Sequence, residues 1–274
     1  MSFWKALVIC SGLSVIMPLI TDICLPAIPD IARYYGVETA RIQQTISFLF
    51  FGAAFGQIIY GPLADRFGRK PVIVVTMLIF TIISFLTVYT ATPNAHSLAR
   101  FLQGATGAGG MIIVRAIIRD LYNGAFATKM FAYTMVGSSL MPILAPIIGG
   151  HVTELLGWKL NFLIIAGFGL VLTLSLALWL KETGTKDFKA LETAEIVKSF
   201  IILLKSKIFI FFTLITLGPF AGLLCILAGL STVLIDFMGI STSTFGYYFA
   251  IIMLGNLLAS ILAGKFSNSL SSFK

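Results

Sequence analysis

The sequence has little charge. Only 11% of its 274 residues are charged, 58% are hydrophobic, and the mean hydropathy is +1.00. A soluble domain carries about 25% charged residues. A water-soluble fold of this size cannot bury so much apolar surface, so lipid must solvate part of the chain. The net charge of +8 is therefore expected on loops that face a cytoplasm, and no nucleic-acid partner is predicted.

The sequence also lacks the patterns of enzyme sites. It has two histidines, His96 and His151, which are expected in outer loops, and it contains no HExxH, GxSxG, P-loop or CxxC pattern. Cys10, Cys24 and Cys225 have no metal-ligand spacing and are interpreted as small buried hydrophobic residues. We predict no enzyme activity, no cofactor and no metal. Any transport would draw on an ion gradient or a downhill substrate, not on ATP.

Long apolar runs make up most of the chain. A bilayer core about 30 Å thick needs about 20 apolar residues per helix, and eight runs reach that length. The first is interpreted as a retained helix because it lacks the cleavage site of a signal peptide. The prediction is an all-α integral membrane protein with about eight transmembrane helices. These are 6–27, 43–63, 71–91, 98–118, 129–150, 160–180, 208–232 and 245–264.

One charged stretch divides the chain. Residues 181–207 are expected to form a cytoplasmic linker that contains an amphipathic helix over 190–204. The linker separates a six-helix bundle, 1–180, from part of a second bundle, 208–274. Most Lys and Arg residues fall on one side of the predicted membrane, which places the N-terminus in the cytoplasm. The basic residues expected outside are Arg33, Arg41, Arg100 and Lys159.

Asp22 is the main ionisable residue at membrane depth. It lies about 25 Å along the first helix from Lys5, at 1.5 Å per residue, with Pro18, Pro26 and Pro29 around it. A carboxylate there is costly in its charged form, so Asp22 is a candidate proton or cation site. The alternative is an interfacial acid or a helix cap near the outer surface.

The fourth predicted helix supplies three candidates for a substrate cavity. Arg100 and Gln103 lie near its outer end. Arg115 lies nearer the cytoplasm, where it either lines the cavity or extends to the inner surface. Glycines at 104, 107 and 110 are expected to let another helix approach closely, and Gly52 and Gly56 have the same role on the second helix.

The fifth predicted helix combines helix-breaking residues. Pro142, Pro146, Gly149 and Gly150 lie within "MPILAPIIGG". In a membrane this pattern indicates a kinked helix that packs tightly against a partner.

A dense charge cluster, "GPLADRFGRKP", follows the second helix at residues 61–71. Its bases anchor the chain on the cytoplasmic side, and Asp120 is placed to pair with them. The candidate functional residues of this cluster are Gly61, Asp65, Arg66, Gly68, Arg69 and Lys70.

These motifs together resemble the major facilitator superfamily. The cluster at 61–70 fills the fixed positions of the signature that follows the second helix in that family. Arg100-x-x-Gln103-Gly104 resembles its fourth-helix motif, and "PILAPIIGG" resembles the fifth-helix motif of its drug/proton antiporters, with Ala145 where glycine is usual. "TDICLPAIPDIA" and "RAIIRDLY" are most similar to the Bcr/CflA, bicyclomycin-resistance branch.

The resemblance implies a proton-coupled exporter of small amphiphilic drugs that works by alternating access in a bacterial inner membrane. Asp22 would then couple protons, and the 61–70 cluster with Asp120 would act as a conformational latch. The family has twelve helices, whereas this sequence predicts eight. Gly52 and Gly61 match Gly255 and Gly264 at the same offset, which is consistent with a second bundle that has only begun. A C-terminally truncated or split transporter with a separately encoded second half, an inactive remnant, and a non-transporting membrane partner are the alternatives.

Overall fold

A computed structural model describes residues 2–184 and 201–270, and the regular structure within these ranges is helical. Seven apolar helical segments among the described residues are long enough to span a membrane. A further helix covers the eighth predicted span, and its membrane crossing stays a prediction. Residues 190–200 of the predicted amphipathic helix lie outside the described residues, and 201–205 are helical. The helices are α1 (Phe3–Asp22), α2 (Ile28–Tyr35), α3 (Thr39–Phe67), α4 (Arg69–Thr87), α5 (Pro93–Leu121), α6 (Gly124–Leu156), α7 (Lys159–Trp179), α8 (Lys207–Ser231) and α9 (Thr242–Leu270).

The helix of the first span is interrupted just before Pro26. α1 ends at Asp22, four residues before Pro26. Proline has no N–H for the carbonyl four residues earlier, and its ring clashes with that carbonyl. A short 3₁₀ turn, Leu25–Ala27, then leads into α2, which extends the segment to Tyr35. Asp22 is therefore the last residue of a helix that ends inside the bundle.

Glycines set the closest helix contact in the bundle. A Cβ on Gly52 of α3 would meet the carbonyl oxygen of Phe101, and a Cβ on Gly104 of α5 would meet that of Leu49. Gly56 likewise faces the backbone of α5. The prediction that these glycines allow two backbones to approach closely is confirmed.

Successive long helices alternate in direction. The inner ends meet around Phe3, whose ring lies 6.1 Å from that of Tyr122, and around Lys5, whose Nζ lies 5.6 Å from the Trp179 ring. We call this side, which the basic residues assign to the cytoplasm, the inner side. At the outer side, His96 packs edge-on against Trp158.

The structure corrects the expectation that His96 lies in an outer loop. α5 begins at Pro93, five residues before the predicted start, so His96 is inside its first turns and is 1% exposed. Its ring packs at 90° to that of Phe162, with centroids 5.4 Å apart. His151 likewise belongs to a helix, α6.

Candidate functional site

Asp22 sits at the end of α1 with its side chain turned into the bundle. It is 5% exposed, and no ion pair to it is present among the described residues. Ser14, Pro18 and Asp22 follow one another at four-residue spacing, so they lie on one stripe of α1. A buried carboxylate without a cationic partner can be neutralised by a proton or a small cation.

Arg100 fastens the end of α1 that carries Asp22. Its guanidinium donates to the backbone carbonyl of Ile20 and to Gln103 Oε1, both at 3.0 Å. The Ile20 carbonyl belongs to the last turn of α1, where carbonyls lack helical donors and a cation is favourable. Gln103 in turn donates to Ser84 of α4 at 3.0 Å. This network of buried side chains connects α1, α4 and α5.

The structure separates the three residues predicted to line a substrate cavity. Arg100 and Gln103 are 2% and 0% exposed, and their polar atoms are engaged in the network just described. Arg115 is exposed and lines a cavity of about 250 Å³ between α1, α5 and α6. It lies about 9 Å from the inner end of α5, at 1.5 Å per residue.

The cavity beside Arg115 has mixed walls, and we call it the inner cavity. Its polar lining includes Ser14, Thr134, Ser138 and Ser139, and its apolar lining includes Met111 and Phe131. Ser138 donates to the Ser14 carbonyl at 3.1 Å. That carbonyl has no helical donor because Pro18, four residues later, lacks an N–H. Two of the lining residues, Ser14 and Pro18, belong to the stripe that continues to Asp22.

The charge cluster lies at the end of α3 and the start of α4, and it has the pairing that was predicted. Arg69 forms an ion pair with Asp65, and its Nε donates to Asp120 Oδ2 at 3.2 Å. The Arg69 side chain is 16% exposed. Arg66 lies over the ring of Phe67, and Gly61 has no neighbour that a Cβ would touch. Lys70 Nζ donates to the carbonyl of Ala177 at 2.9 Å, so the cluster also reaches α7.

Glu182, just beyond α7, completes this cluster and was not predicted. Its carboxylate accepts from the backbone N–H groups of Arg69 at 2.8 Å and Lys70 at 3.3 Å, and also from those of Thr183 and Gly184. Asp120 accepts from the Thr183 hydroxyl at 3.2 Å. We call the set Asp65, Gly68, Arg69, Lys70, Asp120, Glu182 and Thr183 the inner latch.

A sequence signal for Glu182 does exist. The first turn of α4 has no acid, and its N-cap, Gly68, has no side chain to accept a hydrogen bond. The N–H groups at a helix start need an acceptor from elsewhere. Gly68 adopts φ 104°, which favours glycine, and a Cβ there would lie 2.8 Å from the Glu182 carboxyl carbon. The glycine therefore permits both the turn and the approach of the acid.

The fifth-helix motif lies on one continuous helix that contacts two partners. α6 runs through both Pro142 and Pro146. A Cβ on Gly149 would meet the carbonyl oxygen of Ile23, and one on Gly150 would meet that of Thr242 in α9. A Cβ on Gly246 of α9 would lie 2.5 Å from the Pro146 carbonyl oxygen. The predicted tight packing is present on both sides of the helix.

Polar groups extend this contact at the outer side. Thr242 Oγ1 donates to the Gly150 carbonyl at 3.3 Å, and the Ser243 N–H donates to Glu154 Oε2 at 3.1 Å. His151 Nε2 and the Tyr247 hydroxyl are 3.0 Å apart. We call this contact between α6 and α9 the outer seam; it comprises Pro146, Gly150, His151, Glu154, Thr242, Ser243, Gly246 and Tyr247.

The inner half of α8 lies apart from the first bundle. Residues 207–222 of α8 are exposed along their whole length. At mid-length α8 approaches α3, where the rings of Phe50 and Phe220 are 6.1 Å apart, and just past its outer end Gln43 donates to the Thr232 hydroxyl. Within the described residues, α8 thus contacts the bundle from its middle to its outer end and is exposed towards its inner end.

Nothing in the described ranges resembles a metal centre, since no group of three or more His, Cys, Asp or Glu side chains is close enough to hold an ion. The fold and the spans define a multi-pass membrane protein. A D-xylose–proton symporter shares the fold, with a TM-score of 0.68 at 14% identity over 98% of this chain and 70% of that one. A bacterial homologue of the human lysosomal transporter Spinster gives a TM-score of 0.72 at 20% identity, over 97% and 62%.

The chain belongs to the Major Facilitator Superfamily, whose family model matches residues 10–274. It is 29% identical over 255 residues to a bicyclomycin resistance protein homologue of Haemophilus influenzae, covering 93% of this chain and 64% of that protein. It is 28% identical over 244 residues to multidrug resistance protein D of Escherichia coli, covering 89% and 61%. The chain thus spans less than two thirds of the length of these relatives, and it belongs to a family of transporters, not of enzymes.

Proposed function

We propose that this chain contributes to proton-coupled efflux of small amphiphilic drugs across a bacterial inner membrane by alternating access. The observation that supports this most directly is the inner cavity, whose lining residues Ser14 and Pro18 precede, on the same stripe of α1, the buried carboxylate of Asp22, which has no ion pair among the described residues. The names of the relatives, bicyclomycin resistance protein homologue and multidrug resistance protein D, support the substrate class.

Asp22 is the proposed proton-coupling residue. Its charged form is costly where it is buried, so neutralisation by a proton can be exchanged for the binding of substrate in the adjoining cavity. Arg100 holds the end of α1 and thereby fixes where the carboxylate points. Arg115 is the proposed substrate contact, whereas Arg100 and Gln103 act by positioning.

The proposed division of the chain follows the linker. Residues 1–180 form the six-helix bundle, 181–207 a cytoplasmic linker, and 208–274 a part of the second bundle. The inner latch then ties the start of the linker to the first bundle, and the outer seam closes one face of the cavity between the bundles. Lipid surrounds both parts.

Efflux of norfloxacin, a fluorescent amphiphilic drug that carries a carboxylate and an N–H donor, from a drug-sensitive bacterial strain that expresses this chain tests the proposal. We expect Asp22→Asn to abolish proton-dependent efflux, because an amide side chain does not take up a proton near neutral pH. Asp30→Asn is the matched control, since Asp30 lies eight residues later and is already paired with Arg33 near the outer side. A chain that inserts into the membrane but moves no norfloxacin contradicts the proposal and supports an inactive remnant or a non-transporting membrane partner. If efflux appears only when a separately encoded second half is co-expressed, the split-transporter alternative holds.

A further inference from the structure

The walls of the inner cavity have a specific donor and acceptor pattern. Arg115 is the only charged residue that lines the cavity, and no salt bridge or hydrogen bond to it is present among the described residues. A guanidinium has five N–H donors and no acceptor. Its natural partner is therefore a carboxylate or another electron-rich oxygen on the bound compound.

The hydroxyl groups opposite Arg115 have the reverse character. The Ser14 hydroxyl donates to the Cys10 carbonyl at 2.8 Å, and the Thr134 hydroxyl donates to the Phe131 carbonyl at 2.8 Å. Each hydroxyl has one hydrogen to donate. Since these hydrogens are engaged by the backbone, the hydroxyl oxygens are left as acceptors.

Two prolines add backbone acceptors to the same region. Pro18 removes the helical donor of the Ser14 carbonyl, and Pro142 removes that of the Ser138 carbonyl. The Ser138 hydroxyl shares its one hydrogen between two acceptors, the Ser14 carbonyl at 3.1 Å and the Thr134 carbonyl at 3.3 Å. A bound N–H or O–H group can replace this shared bond. The cavity therefore has a donor wall on α5 and an acceptor wall on α1 and α6.

We propose that the inner cavity selects amphiphilic compounds that carry a carboxylate or similar oxygen group beside an N–H or O–H donor, and that it discriminates against permanent cations. This inference rests on the inner cavity being the substrate site proposed above. Arg115 binds the oxygen group, the Ser14 carbonyl and the neighbouring hydroxyl oxygens bind the donor, and Met111 and Phe131 contact the apolar body.

A set of four dansyl compounds, which share one fluorophore, separates the contribution of the carboxylate from that of the N–H donor. Dansyl-glycine has the carboxylate and the sulfonamide N–H, dansyl-sarcosine lacks the N–H, dansyl-glycinamide lacks the charge, and a dansyl-amidoethyl-trimethylammonium carries a fixed cation. Fluorescence titrations use the purified full chain in nanodiscs of neutral lipid. A charge-assisted hydrogen bond contributes about 1.5–3 kcal/mol, so dansyl-glycine should bind about tenfold or more tightly than dansyl-glycinamide.

Variants test whether Arg115 causes the preference for the carboxylate and whether the acceptor wall causes the preference for the N–H donor. Arg115→Gln should remove the preference for the carboxylate, and Arg115→Lys should retain part of it. Arg119→Gln, one turn further along α5 and outside the cavity lining, should leave it unchanged. Pro18→Ala restores an N–H to the Ser14 carbonyl and should reduce the preference for dansyl-glycine over dansyl-sarcosine without affecting the preference for charge.

Three results would overturn the inference. They are tightest binding of the cationic probe, a carboxylate preference that survives Arg115→Gln, and binding of none of the four probes. The proposed function is judged separately, by norfloxacin efflux. Selective binding without efflux would refute transport by this chain and leave the selectivity of the cavity intact, whereas efflux with no effect of Arg115 on probe binding would do the opposite.

Discussion

The inner latch and the outer seam hold helices together by different means. The latch connects α3, α4, α5 and the end of α7 through ion pairs and a carboxylate that accepts backbone N–H groups. The seam joins α6 to α9 mainly through the absence of side chains, with Gly150 and Gly246 against opposing backbone. One contact depends on charge at a water-exposed surface, and the other depends on shape.

This difference predicts different sensitivities. Exposed charges are screened by salt over about 8–10 Å and exchange readily with water. Close backbone packing has no such dependence, but it tolerates no added volume. A contact of the first kind can be released and re-formed at low cost, whereas a contact of the second kind opens only when the helices move apart as units. Under the proposed alternating-access function, the two contacts are therefore suited to opposite faces of the protein.

The largest expected effect follows from filling the outer seam. In Gly246→Leu, the Cβ would lie 2.5 Å from the Pro146 carbonyl oxygen and 2.7 Å from Ile147 Cα, so α9 must move away from α6. Overpacking of this kind costs about 1–3 kcal/mol or more. We expect a drop of about tenfold in oxidative cross-linking between cysteines introduced at Glu154 and Ser243, measured with Cys225 replaced by serine. The control is Gly255→Leu on the same helix, where a Cβ meets nothing within 4 Å. Equal cross-linking in both variants would show that the seam does not depend on close packing.

An intermediate effect is expected in the latch from Gly68→Ala. The new Cβ would be strained at φ 104° and would collide with the Glu182 carboxylate. Such backbone strain costs about 1–3 kcal/mol. The expected result is a lower unfolding temperature, reported by a thiol-reactive dye that reaches the buried Cys10 and Cys24 only on unfolding, with Cys225, which is exposed and not buried as expected from the sequence, replaced by serine. Gly61→Ala, at an open position inside α3, should leave the temperature unchanged or raise it slightly. If both variants behave alike, Gly68 is not required for its conformation.

The latch and the seam also differ in how far they follow from sequence. The glycine contacts, the apolar spans and the pairing of Arg69 with Asp120 were predicted, because each rests on a local pattern or on the order of helices along the chain. Glu182 was missed because its partners at the start of α4 are more than a hundred residues away in sequence. Its contact with them depends on where α7 ends. No periodicity or spacing encodes that distance.

Position within a helix was harder to predict than the helix itself. The end of α1 at Asp22 follows from Pro26, yet hydropathy alone continues the span to residue 27. His96 was expected in a loop because the apolar run begins later than the helix, and aromatic rings then bury it. Arg100 and Arg115 were grouped as cavity residues because they share a helix. They are fifteen residues apart, and one lies in a buried network while the other lies at an open cavity, a distinction that only tertiary packing makes.

The smallest expected effect compares two carboxylates that accept from helix N-termini, one in the latch and one in the seam. Glu182 accepts four backbone N–H groups, two of them at the start of α4, whereas Glu154 accepts one at the start of α9. An exposed acid at a helix N-terminus contributes about 0.3–1 kcal/mol at low ionic strength. Glu182→Gln should therefore lower the unfolding temperature by about one or two degrees. This decrease should become smaller as the salt concentration is raised, because salt already weakens the wild-type interaction by screening. Glu154→Gln should change it less, because the seam is held by the glycine contacts beside it. A larger loss from Glu154→Gln, or a loss from Glu182→Gln that is independent of salt, would mean that charge matters more at the outer side than at the inner side.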